Sequence, residues 1–247
     1  GRHGTVRGVE TLICPPRTQS RWEGSFTFKV AVRAKAPSNS LDLSSVSGAL
    51  CSKRQRPVHQ LGRARVLIST IIPTIIRPTL TRTVESVLAQ QCHEEHEVIV
   101  VNDTGGPMPE YPWRESKQVI VLHSNRRDRC VTRNTGSAVA RGKYLHFLDD
   151  DDWLMPGAFA ALEKVAKETG AAWIYGASQL FDRRENALIS LEHGVHGNIA
   201  ARAFSGEWIP LQSSLVDADL FWELGCFNAG LPMLNRAAED VDLIRRL

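Results

Sequence analysis

Four consecutive carboxylates at residues 149–152 follow the apolar run YLHFL and precede Trp153. Adjacent carboxylates repel one another, so such a run costs free energy unless a cation offsets the charge. Carboxylate oxygens are ligands of hard divalent cations such as Mg²⁺ and Mn²⁺, whose remaining positions take waters and substrate phosphates. A solvated surface loop is the alternative, but this run follows a strand-like segment and precedes a predicted helix. We therefore predict a site for Mg²⁺ or Mn²⁺ that neutralises a leaving phosphate group.

A second acidic pair, Glu239 and Asp240, lies near the end of the sequence in AEDVDLIRRL. A carboxylate can act as a general base when it lies within hydrogen-bonding reach of the proton that it removes. Acids in the first turn of a helix are also stabilised by the helix dipole, without any catalytic role. Both interpretations are open for this pair taken alone.

Alternating strand-like and helix-like segments must position these acids. Apolar, β-rich runs predict buried strands at residues 65–73, 96–103, 117–124 and 143–148, and AAWIYGASQLF at 171–181 predicts one more strand. Helical spacing of apolar residues predicts helices at 78–91, 129–141 and 156–169. This alternation predicts an α/β fold with a mostly parallel central sheet flanked by helices. Ligands of such sheets bind at the carboxyl ends of the strands, where the acidic run lies.

Residues 1–62 differ from this pattern. They hold ten Lys/Arg against three Asp/Glu and include a Ser-rich stretch, whereas the remainder of the chain is net acidic. We predict a poorly ordered N-terminal extension, with a possible strand in SFTFKVAVRAK, followed by a catalytic domain over residues 65–247 that is C-terminally truncated. The basic charge lacks interleaved aromatic residues, so we expect no nucleic-acid partner, while peripheral contact with acidic lipid stays open.

The five cysteines are scattered, odd in number and never spaced as CxxC. This pattern argues against a disulfide framework or a zinc site and predicts reduced thiols in a cytoplasmic protein, with a membrane-peripheral location as the alternative. No apolar run reaches the ~18 residues of a membrane-spanning helix.

Four motifs, in this order, resemble those of a family 2 inverting glycosyltransferase with the GT-A fold. They are STIIPTIIRPTLTRTVESVLAQ, EVIVVNDTGG, RNTGSAVARGKYLHFLDDDDWL and AEDVDLIRRL, and the resemblance covers about residues 65–247. It implies metal-dependent transfer of a sugar from a nucleotide-diphosphate donor, a UDP-sugar above all, to an acceptor hydroxyl with inversion. The acceptor would be a carbohydrate or a lipid-linked molecule, in polysaccharide, glycan or glycolipid synthesis.

The resemblance also implies roles for individual residues on the donor side. Asp151 would be the main metal ligand, together with Asp149, and Asp149 or Asp150 would lie near the ribose and the waters of the metal. Asp152 could cap the following helix. The expected nucleotide contacts are Thr74, Asp103, Arg129, Arg133, Asp149 and Asp150, with Asn134 packing beneath the nucleotide and Gly136 permitting close approach of a helix.

On the acceptor side the resemblance assigns catalysis to Glu239 and Asp240, with Asp240 as the base. The preceding segment EWIPLQSSLVDADLFWELGCFN would supply a strand, a helix and a turn. The candidates for the acceptor pocket are Trp208, Gln212 and Ser213, and for Trp208 a place in the core is the first interpretation.

One departure from the family pattern concerns the donor. Ile75 and Ile76 stand where members usually show an aromatic residue, which often stacks on the donor base, and then a small polar one. This departure leaves open a degenerate nucleotide-sugar or carbohydrate-binding module of the same fold. A sugar-phosphate nucleotidyltransferase is a further alternative, but it would carry a glycine-rich loop after the first strand, and PTIIRPTL has no glycine.

Overall fold

The computed structural model describes residues 27–31, 66–182, 186–191, 209–230 and 238–247. Ten strands occur in these ranges: β1 (Thr27–Ala31), β2 (Val66–Thr74), β3 (Glu95–Asn102), β4 (Val119–His123), β5 (Tyr144–Phe147), β6 (Trp153–Leu154), β7 (Trp173–Tyr175), β8 (Ala177–Phe181), β9 (Ala187–Leu191) and β10 (Ser214–Asp217). The helices of the same ranges are α1 (Leu80–Leu88), α2 (Arg129–Val139), α3 (Ala158–Thr169), α4 (Ala218–Glu223) and α5 (Ala238–Arg246). Two short 3-10 turns occupy Pro112–Glu115 and Leu211–Ser213.

The central sheet has the strand order β4-β3-β2-β5-β10-β7. The four predicted strands β2 to β5 pair in parallel, whereas β10 is antiparallel to both β5 and β7. Every residue of β2 is buried, as expected for a strand that is covered on both faces. The predicted α/β class with a mostly parallel sheet is therefore confirmed.

Helices cover the two faces of this sheet. Apolar residues of α1 and α3 pack with one face, and those of α2, α4 and α5 pack with the other. Gly136 of α2 lies so close to β2 that a Cβ atom there would stand 2.6 Å from Ile71 Cγ2. This distance confirms that Gly136 permits close helix approach, since a side chain would push α2 away from the sheet.

A second sheet has the order β6-β1-β8-β9. The prediction of one strand over residues 171–181 was wrong, because the chain leaves the central sheet at Gly176, between β7 and β8. The Gly176 N–H donates to the carbonyl of Ser213, while the next residues pair with β1. The predicted strand in the N-terminal extension is present as β1, parallel to β6 directly after the acidic run.

No helix within the described ranges is both long enough and apolar enough to cross a membrane. The cytoplasmic location suggested by the cysteine pattern stays a prediction.

Candidate active site

A cavity of about 630 Å³ opens at the carboxyl edge of β2, β3 and β5. This is the edge at which parallel α/β sheets bind their ligands. Its wall combines carboxylates with arginines: it is lined by Pro73, Thr74, Ile75, Arg77, Asp103, Arg127, Asp128, Arg129, Cys130, Thr132, Asp149, Asp150, Asp151, Asn228, Ala229 and Glu239.

Asp150 ties the loop after β2 to the acidic run. Its carboxylate accepts hydrogen bonds from Thr74 Oγ1 at 2.6 Å and from Arg77 Nη1, and its carbonyl accepts one from Thr79 Oγ1 at 2.7 Å. Asp150 is almost completely buried. Its carboxylate is therefore committed to the protein, and the two loops that border the cavity are fixed to each other.

The other three acids of the run form a compact cluster. Asp149, Asp151 and Asp152 can each offer one oxygen such that all three oxygens lie within 4.8 Å of one another. Burial and the neighbouring carboxylates raise the pKa of Asp151, although Arg77 opposes this shift. A set of hard oxygen ligands with excess negative charge fits Mg²⁺ or Mn²⁺.

The placement of Asp152 differs from the helix cap that was predicted. The next helix, α3, begins at Ala158, and its N-cap is Gly157. Asp152 instead follows Asp149 in a tight turn, in which its N–H donates to the Asp149 carbonyl at 3.0 Å. This turn brings Asp152 into the acidic cluster in place of Asp150.

Asp149 is held from two sides. Its Oδ1 accepts from Arg133 Nη2 at 2.8 Å, and its Oδ2 accepts from Gln212 Nε2 at 3.0 Å. Burial alone would raise the pKa of Asp149, but the Arg133 guanidinium lowers it below the usual carboxyl range. Behind this pair, His146 Nε2 lies 2.9 Å from the Gln212 carbonyl, and burial lowers the pKa of His146 to about 4. Gln212, predicted for the acceptor pocket, therefore supports the acidic cluster.

Arg133 lies beneath the site and is absent from the cavity wall, which corrects its placement as a nucleotide contact. Its side chain is 1% exposed. Its Nη1 donates to Asp240 Oδ1 at 2.7 Å and lies 3.5 Å from Glu239 Oε1. Burial would lower the pKa of Arg133, but Asp240 and Asp149 raise it, so the guanidinium stays charged. Arg133 thus connects the acidic run to the second acidic pair.

The second acidic pair lies in the first turn of α5. Glu239 lines the cavity and pairs with Arg129 Nη2 at 2.8 Å. Asp240 is not in the cavity wall, but its side chain is 19% exposed. Burial raises the pKa of Asp240, with Arg133 opposing the shift. A raised carboxyl pKa moves Asp240 toward the range of a useful general base.

Asp103 lines the cavity and also organises the turn before α2. Its Oδ1 accepts from the N–H groups of Arg126 and Arg127, at 3.1 and 3.0 Å, and its Oδ2 accepts from the Asp128 N–H at 2.8 Å. Arg127 adopts a φ of 50°, and Asp128 caps α2 by accepting from the Val131 N–H. Asp103 therefore fixes the turn that carries Arg127 into the wall.

Other predicted residues have structural contacts. Asn134 donates to the Phe227 carbonyl and accepts from the Phe227 N–H, so it holds the turn before Asn228, and its packing beneath the nucleotide stays a prediction. The Ser213 hydroxyl donates to the Pro210 carbonyl and is fully buried. Trp208 lies outside the described residues.

The loop after β2 contributes Arg77, which was not assigned from the sequence, next to Ile75 and Ile76. Arg77 pairs with Asp150 and lies 3.6 Å from Asp151 Oδ2, so it supplies positive charge beside the cluster. Ile75 is 60% exposed in the cavity wall. Ile76 adopts a φ of 64°, which is unusual for a β-branched residue, and its N–H donates to Thr74 Oγ1 at 2.8 Å. The basic residue in PTIIRP was the available signal for Arg77.

The family model described as "Glycosyl transferase family 2" matches residues 69–243, which is more than half of the chain. The chain belongs to glycosyl transferase family 2. The match includes the loop after β2, the acidic run and the acidic pair of α5. The predicted glycosyltransferase identity is therefore confirmed.

Two curated relatives illustrate this family 2 membership. The chain is 27% identical over 165 residues to a "GalNAc(5)-diNAcBac-PP-undecaprenol beta-1,3-glucosyltransferase" of Campylobacter jejuni, covering 62% of the chain and 46% of the relative. It is 30% identical over 116 residues to "Poly(ribitol-phosphate) beta-N-acetylglucosaminyltransferase TarP" of Staphylococcus aureus, covering 44% and 36%. The chain thus spans less than half the length of these relatives.

A solved structure, S. aureus TarS residues 1–349 in complex with UDP-GlcNAc, superposes with a TM-score of 0.53 at 16% identity. The superposition covers 73% of this family 2 chain and 53% of the TarS chain. At this identity the likeness concerns the fold alone. The predicted GT-A fold is confirmed.

Proposed function

We propose that this chain transfers a sugar from a nucleotide-diphosphate donor to an acceptor hydroxyl, with inversion at the anomeric carbon and with the aid of Mg²⁺ or Mn²⁺. The observation that carries the proposal is one cavity wall that brings Asp149 and Asp151 of the acidic cluster together with Glu239, the neighbour of Asp240 in the second acidic pair. A metal-side group and a base-side group are the two parts that such a displacement requires.

The donor would occupy the cavity with its diphosphate toward the acidic cluster. Three arginines, Arg77, Arg127 and Arg129, line the same cavity, and their positive charge favours an anionic ligand. Exposed Ile75 offers an aliphatic surface to a nucleobase, in place of the aromatic residue that is usual in the family. The TarS structure in complex with UDP-GlcNAc supports a UDP-sugar as the donor.

Asp149, Asp151 and Asp152 would hold the divalent cation. When bound there, it would neutralise negative charge on the departing diphosphate. Arg77 would add fixed positive charge beside the same oxygens, because it already contacts Asp150 and lies near Asp151.

The reaction is a single displacement. The acceptor oxygen forms a bond to the anomeric carbon from the face opposite the nucleotide, and the bond from that carbon to the diphosphate oxygen breaks. Asp240 accepts the proton of the acceptor hydroxyl, and the nucleotide diphosphate leaves with the bonding electrons. Glu239 orients the base side of the cavity through its ion pair with Arg129.

The acceptor class follows from the relatives rather than from the cavity. The names of the two curated relatives specify a lipid-linked saccharide, PP-undecaprenol, and a poly(ribitol-phosphate). We propose an acceptor hydroxyl on a saccharide or polyol that is carried by a lipid or a polymer. Contact of the enzyme with a membrane surface would accompany the lipid-linked case.

The alternative without turnover is a nucleotide-sugar-binding module. Ile75 favours this alternative, because base stacking is lost there, whereas the acidic cluster and the raised pKa of Asp240 favour catalysis. A nucleotidyltransferase is disfavoured because the loop after β2 carries no glycine to cradle a triphosphate.

The proposal is tested by incubating the chain with Mn²⁺, a panel of nucleotide sugars and saccharide acceptors. We expect release of nucleotide diphosphate from at least one donor, and UDP-sugars are tested first. Asp240→Asn is expected to keep donor binding and lose transfer. Binding of the donor without release of nucleotide diphosphate would instead establish the binding module, and full transfer by Asp240→Asn would refute the assigned base.

A further inference from the structure

Arg133 is the most deeply buried charge at the site. It lies on α2, beneath the cavity, and its side chain is 1% exposed. One terminal nitrogen of its guanidinium donates to Asp149 at the end of β5, and the other donates to Asp240 in the first turn of α5. A single side chain therefore joins the metal-side acid to the base-side acid.

The Arg133 guanidinium can hold two carboxylates at a fixed distance from each other. A guanidinium is planar and always charged, and its donors point in set directions, so it can hold two carboxylates in one geometry. Lysine carries the same charge at a single nitrogen and cannot hold two acids in the same fixed relation. The contacts at 2.8 Å and 2.7 Å are the short distances of charge-assisted hydrogen bonds.

Attachment of α5 to the domain does not require this contact. At the other end of the helix, Leu243 and Ile244 are buried in the core. Arg246 also donates to the carbonyls of Leu224 and Cys226, at 2.6 and 2.8 Å. These contacts anchor the distal end of α5, whereas Arg133 acts only on the end that carries Asp240.

We propose that Arg133 is a positioning residue for transfer, and that it sets the distance between the acidic cluster and the base Asp240 across the donor sugar. The proposal rests on the proposed function, because it takes Asp240 as the base. Arg133 touches neither donor nor acceptor in this assignment, and it acts through the two acids that it holds. A base displaced by about 1 Å can cost on the order of 100-fold in rate, which is the size of effect expected here.

The test compares Arg133→Lys, Asp240→Asn and the double variant, with Arg246→Lys as the matched control at the distal end of α5. Transfer is measured as kcat and donor KM, UDP binding with Mn²⁺ is measured by calorimetry, and folding is followed by urea unfolding. We expect Arg133→Lys to lower kcat about 100-fold while donor KM and UDP affinity change less than about threefold. The double variant should be no slower than Asp240→Asn, because the base through which Arg133 acts is already absent. Arg246→Lys should keep kcat even where it lowers stability.

Three results would overturn the proposal: a kcat of Arg133→Lys within about threefold of the unaltered chain, a matching loss of UDP affinity, or multiplicative effects in the double variant. If Arg133→Lys does not fold, Arg133→Gln, which keeps a planar amide, takes its place in the same cycle. Transfer by the unaltered chain together with any of these results would reject only the role of Arg133. Absence of transfer by the unaltered chain would reject the proposed function and this role together.

Discussion

Buried ion pairs occur at both edges of the central sheet, but their charges balance differently. At the amino edge, the buried Glu97 carboxylate accepts from the Ser69 hydroxyl and from the N–H and side chain of Arg141, at 2.6 to 2.7 Å. At the carboxyl edge, three arginines pair with five acids: Arg77, Arg129 and Arg133 contact Asp149, Asp150, Asp151, Glu239 and Asp240. Glu97 and Arg141 are matched one to one, whereas the ion-paired residues of the carboxyl edge hold an excess of acid.

This difference distinguishes the Glu97–Arg141 pair, which supports the fold, from the acids of the carboxyl edge, which we propose bind a ligand. A buried carboxylate whose oxygens are all hydrogen-bonded contributes to stability through its partners. Acids in excess of their cations repel one another and destabilise the folded chain unless a cation binds. Burial, and then the neighbouring carboxylates Asp149 and Asp150, raise the pKa of Asp151.

The first prediction concerns the removal of one acid from the cluster of Asp149, Asp151 and Asp152. Asp151→Ala should lower Mn²⁺-dependent binding of UDP by at least about 100-fold, because it deletes one of three clustered oxygen ligands. Binding is measured by calorimetry with and without Mn²⁺. Glu110→Ala is the matched control, since Glu110 is an exposed acid that pairs with Arg114, away from the acidic cluster. Retention of Mn²⁺-dependent binding by Asp151→Ala would show that the excess charge serves another purpose.

The second prediction makes the same amide substitution at each edge. Glu97→Gln should lower the free energy of unfolding by about 2 kcal/mol, a value below that of a fully buried pair because Arg141 is 36% exposed. Asp151→Asn should leave the free energy of unfolding unchanged or raise it by about 0.5–1 kcal/mol, because it relieves repulsion. Urea unfolding without metal measures both. Equal losses at the two edges would contradict the comparison.

The third prediction concerns pH. Asp240 must be ionised to accept a proton, and burial raises its pKa. The kcat/KM of transfer should therefore be maximal well above the raised pKa of Asp240 and should fall as the pH drops through that pKa. This loss should occur at a pH above the ordinary Asp pKa of about 3.9. The pH profile of kcat/KM measures this acidic limb. Arg133→Gln should move this acidic limb to higher pH, because the Arg133 guanidinium lowers the pKa of Asp240 more than any other neighbour does. An acidic limb that stays in place would argue against Asp240 as the titrating group.

The fourth and smallest effect lies in the wall of the cavity. Ile75→Ser should weaken UDP binding about fivefold, since a partly covered isoleucine contributes on the order of 1 kcal/mol to the burial of apolar surface. The free energy of unfolding should change by less than about 0.5 kcal/mol, because the side chain is 60% exposed in the free chain. Ile189→Ser, at an isoleucine of β9 that is 54% exposed, is the control for UDP binding. An equal effect of both substitutions would exclude a base contact by Ile75.

Much of this site could be predicted because its residues follow regular elements. The apolar runs predicted β2, β3 and β5. Because parallel strands end at the same edge of a sheet, the polar residues at their ends had to meet there. The direction of side chains beneath that edge could not be predicted. Arg133 on a helix near the site suggested a ligand contact, but its orientation depends on how closely α2 packs on β2. The turn that carries Asp152 back to Asp149 is likewise a matter of backbone geometry that charge patterning does not indicate.

The sequence pattern also could not predict which of the two sheets a strand joins. The residues around Gly176 read as one continuous strand, since periodicity reports local extension and not the partner strand. The change of sheet depends on the pairing of β8 with β1, which is distant in sequence. Long-range pairing of this kind leaves no local signal.

The hydrogen bonds of Asp150 to the loop after β2 limit which positions of that loop can be substituted independently. Thr74, Arg77 and Thr79 are bound to Asp150, so substitution at any of them disturbs the acidic run as well. The Ile75 side chain lines the cavity on the same loop and makes none of these hydrogen bonds to Asp150. Position 75 can therefore be varied without disturbing the acidic run, and under the proposed function a library at this position would test which residues there accept a different nucleobase.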